Sequence, residues 1–393
     1  MKGCESKLRI IVLGYIVRGP MAGMAWHHLQ YVAGLARLGH DVYFVEDSDD
    51  YDSCYHPATE LLDRNPAYGL RFATRVFAKV QLADRWTYFD AHEQTWLGPA
   101  RGVIRDVLQT ADILFNVSGV NPMRPWFSTI PTRVLIDTDP VFTQIRHLTD
   151  PTRRRLAESH TAFFSFGENL VAGTTSIPND GFAWHSTRQP IVLDLWPVQA
   201  PAPQGNFTTV MQWDSYEPVH WNCTRYGMKR EMFTPFLDFP RKAEGEFEMV
   251  VSGPAPREKL CANGWTIRKP HAVTGDPWTY QRYIQRSKAE FSVAKQGYIA
   301  ARSGWFSERS ACYLASGRPV IVQDTGFTDW LKANKGVVAF RTADEALAGV
   351  ESVNTDYRAH CEAAREIAVD YFDSTKVLDD LLARATSTPA DAL

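Results

Sequence analysis

The sequence predicts an α/β protein made of two Rossmann-like, doubly wound domains that face each other across a cleft. Three observations predict it. The chain has 393 residues, too many for one ordinary hydrophobic core and suited to two domains of similar size. Both halves alternate short continuous apolar runs, the pattern of parallel strands buried on both faces, with amphipathic helical segments. Residues 303–326 read as a loop opening a helix, a Gly317-Arg318-Pro319 break, a buried strand and the polar turn Asp324-Thr325-Gly326. That order is how a nucleotide diphosphate site is built on a parallel sheet.

The first unit runs from a strand at 8–13 through a Gly-rich turn to a helix at 25–38, stopped by Gly39-His40, and on to a strand at 42–45. Val32, Leu35, Ala36 and Leu38 put apolar groups on one helical stripe, so the unit reads as βαβ with a right-handed crossover. Strands follow at 113–117, 133–136 and 162–166, with helices near 57–62 and 102–109. The Pro-rich segment 197–205 reads as a linker between a first domain at 1–196 and a second at 206–357. In the second, strands at 208–212, 248–251, 289–293 and 320–322 alternate with helices at 229–237, 278–287 and 307–315. A closing helix at 358–385, with Cys361, Ala364, Ile367, Ala368, Tyr371 and Phe372 as its stripe, is expected to pack back toward the first domain.

Composition narrows the class. A hydrophobic share of 45% with 22% charged residues is that of a globular protein and argues against disorder. A formal net charge of −3 gives no reason to expect nucleic acid or an anionic membrane as partner. The apolar run after Lys7 and Arg9 is short, broken by Gly14 and without a small-residue cleavage site, so it reads as a buried strand rather than a signal peptide. No run approaches membrane-spanning length. The six cysteines, Cys4, Cys54, Cys223, Cys261, Cys312 and Cys361, form no C-x-x-C pair, which points to reduced thiols, no zinc site and a cytoplasmic location.

Two segments carry a family resemblance. Gly23-Met24-Ala25-Trp26-His27-His28-Leu29, before a helix ending in Leu38-Gly39-His40-Asp41-Val42, and Ser316-Gly317-Arg318-Pro319-Val320-Ile321 resemble the two-domain glycosyltransferases of the GT-B fold, and the likeness covers most of the chain. The resemblance implies that the second domain holds a nucleotide sugar, the first holds a small-molecule or glycan acceptor, and transfer occurs in the cleft without a bound metal or other cofactor. The chain departs from the family at the two glutamates, seven residues apart, of many retaining members. Gly304 and Cys312 stand at those places, and Glu308 lies one helical turn before the second. The His-Cys-Gly donor motif of plant-type inverting members is also missing, so family and stereochemistry stay open.

Candidate residues follow from position. In the turn Gly19-Pro20-Met21-Ala22-Gly23, the missing Cβ of Gly23 would let backbone approach a diphosphate. His27 and His28, on the first turn of the helix, are candidate general bases because imidazole titrates near working pH. Asp137 and Asp139 follow a buried strand and can orient a histidine or take an acceptor proton, while Asp139 can equally cap the helix at Pro140. Lys295 and Gln296 follow the strand at 289–293. Lys295 and Arg309 are suited to a departing diphosphate, free backbone N–H groups near Trp305 to Arg309 to facing an anion, Ser303, Gly304 and Ser307 to binding the donor in that loop, and Glu308 to sugar hydroxyls, while Asp324 and Thr325 lie at the end of the next strand. Trp213 can stack on a sugar or pack in the core. The acidic run from Glu46 to Asp52 reads as a solvated strand-to-helix loop and not as a metal site. Together these readings suggest transfer of a sugar, from UDP by preference, to a hydroxyl-bearing acceptor. The alternatives are a nucleotide-sugar epimerase on the same fold and a non-catalytic two-lobed binding protein.

Overall fold

The strand Arg9–Leu13 takes the middle of an eight-stranded sheet because four of its five residues are apolar and buried on both faces. The computed structural model describes residues 7–57 and 59–387. Arg9–Leu13 pairs in parallel with Asp41–Asp47 on one side (Ile10 opposite Val42) and with Ile113–Val117 on the other (Ile10 opposite Ile113). The chain reverses its direction of winding between those neighbours, which opens a crevice at the carboxyl ends of the strands. Beyond Ile113–Val117 lie Thr132–Asp137, Ala162–Ser165 and Trp184–Ser186. Beyond Asp41–Asp47 lie Trp86–Asp90 and the antiparallel edge strand Thr95–Leu97.

The C-terminal half repeats the plan. Its six strands are ordered Thr266–Arg268, Phe247–Ser252, Phe207–Gln212, Ala289–Ser292, Val320–Gln323 and Val337–Phe340, all parallel. Here the winding reverses between Phe207–Gln212 and Ala289–Ser292. Phe207, Phe239, Phe247 and Phe291 fill the core on one side of this sheet. The two halves are joined by packing as well as by chain. Trp26 of the helix Ala22–Arg37 donates from Nε1 to Pro277 O at 2.8 Å, and the helix Ser374–Ser387 lies back on Ala22–Arg37, where a Cβ at Gly34 would come within 2.5 Å of Leu378. Among the described residues, no helix is long and apolar enough to cross a membrane.

Four expectations are corrected. The described residues of the segment expected as a helix at 57–62 do not form one: Cys54–His56 and Leu61–Asp63 make a small antiparallel ladder. Leu61 and Leu62 are 67% and 58% exposed, so a helix there has no apolar face to bury. The acidic run is a solvated loop only in part, with Asp50, Tyr51 and Asp52 exposed after the strand. Glu46 and Asp47 belong to the strand Asp41–Asp47 and are buried, and Arg124 forms a pair of 2.9 Å bonds with Asp47 and reaches Asp50. The helix expected at 229–237 is Lys229–Phe233 followed by a 3₁₀ turn, because Pro235 has no N–H to continue it. The closing helix is broken at Asp373, where Ile191 inserts its backbone, donating to Phe372 O and accepting from Ser374 N.

Candidate functional site

The carboxyl ends of Ala289–Ser292 and Val320–Gln323 and the first turn of Glu308–Ala315 line a cavity that is open to solvent. Its polar lining includes Lys229, Ser307, Arg309, Ser310 and Thr325. Ser307 caps the helix without a side-chain bond, so the first-turn N–H groups and the positive helix end face outward from the turn. Arg309 is fixed: its Nε donates to Glu290 at 2.7 Å and its Nη2 to Ser292 at 2.8 Å. Two donors are not fixed. Ser310 Oγ is buried without a hydrogen-bond partner, and Lys229 makes no hydrogen bond or ion pair among the described residues. Burial, followed by the nearby Arg309 charge, pushes the Lys229 ammonium well below its usual range. Lys229 is half-buried, and an anion in the cavity would offset the partial desolvation of its ammonium.

At the interface between halves, Lys295 does not line this cavity. Its Nζ lies 2.8 Å from Asp139 Oδ1 and 2.8 Å from Tyr216 OH, and the hydroxyls of Tyr216 and Tyr298 also donate to Asp139. Burial raises the Asp139 carboxyl, but Lys295 and these bonds outweigh burial and bring it below the usual range, so Asp139 stays ionised. Trp305 spans the same interface, stacking on Tyr298 at 4.5 Å and donating from Nε1 to Thr138 O at 3.2 Å. Asp137 is an anchor inside the N-terminal half. It accepts from Asp139 N, Thr143, Gln144 and Ser165, and burial raises its carboxyl.

His27 and His28 part company. His28 is fully buried, with Nδ1 2.9 Å from Met24 O and Nε2 accepting from Tyr15 N at 3.4 Å. Both ring nitrogens are therefore engaged by backbone. His27 points the other way, with Nε2 3.2 Å from Ser118 Oγ, which lies 2.7 Å from Thr138 Oγ1. Burial lowers its pKa to about 4, leaving a neutral imidazole at the end of a hydroxyl relay through Ser118 and Thr138.

The first strand-to-helix turn uses its donors internally. Ile16, Val17 and Arg18 N–H groups all donate to Glu46, at 2.6, 2.8 and 2.6 Å, so a carboxylate of the chain fills the nest that a ligand anion would use. A Cβ at Gly23 would meet nothing within 4 Å. The structure brings Ser307, Arg309 and Thr325 together on the cavity, and Gln296 is turned to Gly227 N. Trp213 is 4% exposed and packs against Phe233. Ser303 is fully buried, and Asp324 is held by Gly326 N, Thr328 and Arg341. Glu308 accepts from Cys312 Sγ, and burial raises its carboxyl to about 7. Gly304, at φ +74°, closes on the N-terminal half, where a Cβ would lie 2.8 Å from Asn169 N.

No family model matches the chain, and no curated protein sequence does. Solved structures do. An alpha-glucosyltransferase in complex with UDP and a 13-mer DNA containing an HMU base superposes with a TM-score of 0.61 at 11% identity, over 97% of this chain and 100% of that one. Anabaena HepE in complex with UDP and glucose gives 0.56 at 10% identity, over 97% and 100%. Sucrose-phosphate synthase from Thermosynechococcus elongatus gives 0.55 at 11% identity, over 97% and 100%. The chain has the GT-B fold. In that fold the cavity beside Arg309 lies in the C-terminal half, and the His27 relay lies in the N-terminal half.

Lys229 and Ser310 are the site residues that sequence reading passed over. Lys229 opens a short helix after the small ladder Val219–Trp221 and Thr224–Tyr226, with no motif around it. Ser310 is one position past the highlighted Arg309, and only the helical turn shows that its hydroxyl meets the cavity.

Proposed function

We propose that this GT-B chain is a glycosyltransferase that moves a sugar from a nucleotide diphosphate, UDP by preference, to a hydroxyl-bearing acceptor without needing a metal. One observation carries the reading: a cavity at a helix N-terminus with two donors, Lys229 and Ser310, that have no hydrogen-bond partner among the described residues. A diphosphate supplies the acceptors and negative charge that this set lacks. As the bond between sugar and diphosphate breaks, charge grows on the leaving phosphate. Lys229, Arg309 and the first-turn N–H groups of Glu308–Ala315 are placed to stabilise it, the work a metal would otherwise do. Trp305, bonded to Thr138 across the interface, covers one side of the cavity and helps exclude water. In the N-terminal half, neutral His27 is placed to take the acceptor proton.

A thermal-shift series with UDP, GDP, TDP and ADP, followed by transfer assays with and without EDTA, tests this reading. Selective stabilisation by UDP and turnover that survives chelation are the expected results. Absence of a shift with every nucleotide sinks the donor site. Turnover that EDTA abolishes and Mg²⁺ restores sinks metal independence.

A further inference from the structure

A second concavity lies on the other side of an aromatic wall. It has a volume of about 270 Å³ and is bordered by Glu168, Ser186 and Arg188 from the N-terminal half and by Tyr371, Lys376, Asp380 and Arg384 from the C-terminal helices, close to the lower limit of roughly 300 Å³ for ligand sites. Phe372 stacks on Phe306 at 5.3 Å, and Phe306 lines the first cavity. Phe306 and Phe372 thus link the first cavity to the turn that carries Tyr371.

The charges of this groove are balanced. Arg188 pairs with Glu168 at 2.6 Å, Lys376 faces Asp370 at 3.9 Å, and Arg384 pairs with Asp380. No surplus cation faces the space, so its lining disfavours a phosphate or nucleotide. It is too polar for a lipid chain. Lys376, Asp380 and Arg384 recur every fourth residue on one face of Ser374–Ser387, which lines up carboxylate and guanidinium groups along the groove. Tyr371 adds a ring that is only partly buried and carries the Arg188 guanidinium 5.3 Å from its centroid. It sits in a π-helical turn, Ala368–Phe372, a distortion that often accompanies functional sites. That turn leaves Phe372 in the core and Tyr371 at the rim.

Planar ion-paired groups that both donate and accept, set beside an aromatic face, match the alternating hydroxyls and apolar C–H faces of a sugar ring. We propose that this groove binds a neutral saccharide, separately from the cavity beside Arg309. The bound residue is either the remote part of a glycan acceptor or a free sugar, and the chemistry is the same for both.

Ligand-observed saturation-transfer NMR on the full chain tests it, with the methyl glycosides of glucose, galactose, mannose and N-acetylglucosamine, with maltose and cellobiose, and with inorganic phosphate as competitor. At least one saccharide should bind, and Tyr371→Ala and the exposed-site variant Asp380→Ala should each weaken it several-fold while leaving the UDP thermal shift unchanged. A disaccharide binding more tightly than its monosaccharide supports the glycan source, and equal binding supports the free sugar. A panel in which nothing binds, binding unchanged in both variants, or displacement by phosphate overturns the proposal. A chain that binds a saccharide here yet shows no UDP shift upholds the groove and removes only the donor reading.

Discussion

Lys295 of the C-terminal half donates to Asp139 of the N-terminal half at 2.8 Å, and the pair is enclosed by Tyr216 and Tyr298. A lysine placed by sequence next to a departing diphosphate instead holds the two halves together. Lys295→Ala leaves Asp139 partly buried and without its nearest cation. Breaking such a pair costs about 3–5 kcal/mol when nothing compensates, and the two tyrosine hydroxyls and Arg146, 3.8 Å away, reduce that. The expected result is a clear fall in Tm with UDP affinity changed little. A variant with wild-type Tm and lost UDP binding would return Lys295 to the donor site.

Lys229 is the cation expected to meet the diphosphate. Lys229→Ala should weaken UDP binding by about 1.5–3 kcal/mol, the worth of a charge-assisted contact. It should also raise or preserve Tm, because a partly desolvated, unpaired ammonium is removed. Arg309→Ala should weaken UDP binding as well but lower Tm, since it strands the buried Glu290 carboxylate. Calorimetric titration with UDP beside thermal melts of both variants separates these outcomes. Full UDP affinity in Lys229→Ala would rule out the cavity as the diphosphate site.

The contrast between Lys295 and Lys229 shows what the sequence carried. Strands at the centre of each sheet were legible because they are unbroken apolar runs, as at Ile113–Val117. The helix Glu308–Ala315 was legible because Ser307 precedes it and Gly317 follows it. Edge strands such as Thr266–Arg268 were not, since three residues with mixed burial leave no period. The same limit applied to the site. Position after a strand located the loops that reach the cleft, but which cation turns into the cavity depended on Asp139, more than 150 positions away in sequence. The Gly-rich turn misled for a similar reason: Glu46 satisfies its N–H groups from the neighbouring strand.

Gly304 should tolerate no side chain. Its φ of +74° and the 2.8 Å approach of a Cβ to Asn169 N combine backbone strain with a clash against a residue that bonds Arg302 O and Gly326 O. Gly304→Ala is expected to cost about 1–3 kcal/mol and to increase protease cleavage between the halves. Asn169→Gly in the same chain should not recover the loss, because the nearest blocking atom is backbone and the substitution removes the Asn169 side-chain bonds. If Gly304→Ala melts like the wild type, the contact between halves is not set by this fit.

His27 is expected to act as the acceptor's base if transfer inverts the sugar. Its ring faces the Ser118 and Thr138 hydroxyls, whereas both nitrogens of His28 are taken by backbone. His27→Ala should lower kcat by about two to four orders of magnitude with UDP binding intact, and His28→Ala should act through stability. The pH dependence carries a sharper sign. A base works when deprotonated, and burial lowers the His27 pKa from the ordinary 6.5 to about 4. Activity should therefore stay level as pH falls through 6.5 and drop only near 4. The unfolded chain, with the ordinary histidine value, binds the extra proton between those limits, so His27 makes stability fall as pH decreases across the same window. Initial rates from pH 4 to 8, paired with melts at each pH and with the anomeric configuration of the product, check all three points. An inverted product with near-normal kcat in His27→Ala, or an acid limb centred at 6.5 that this substitution leaves in place, would assign the proton to another group.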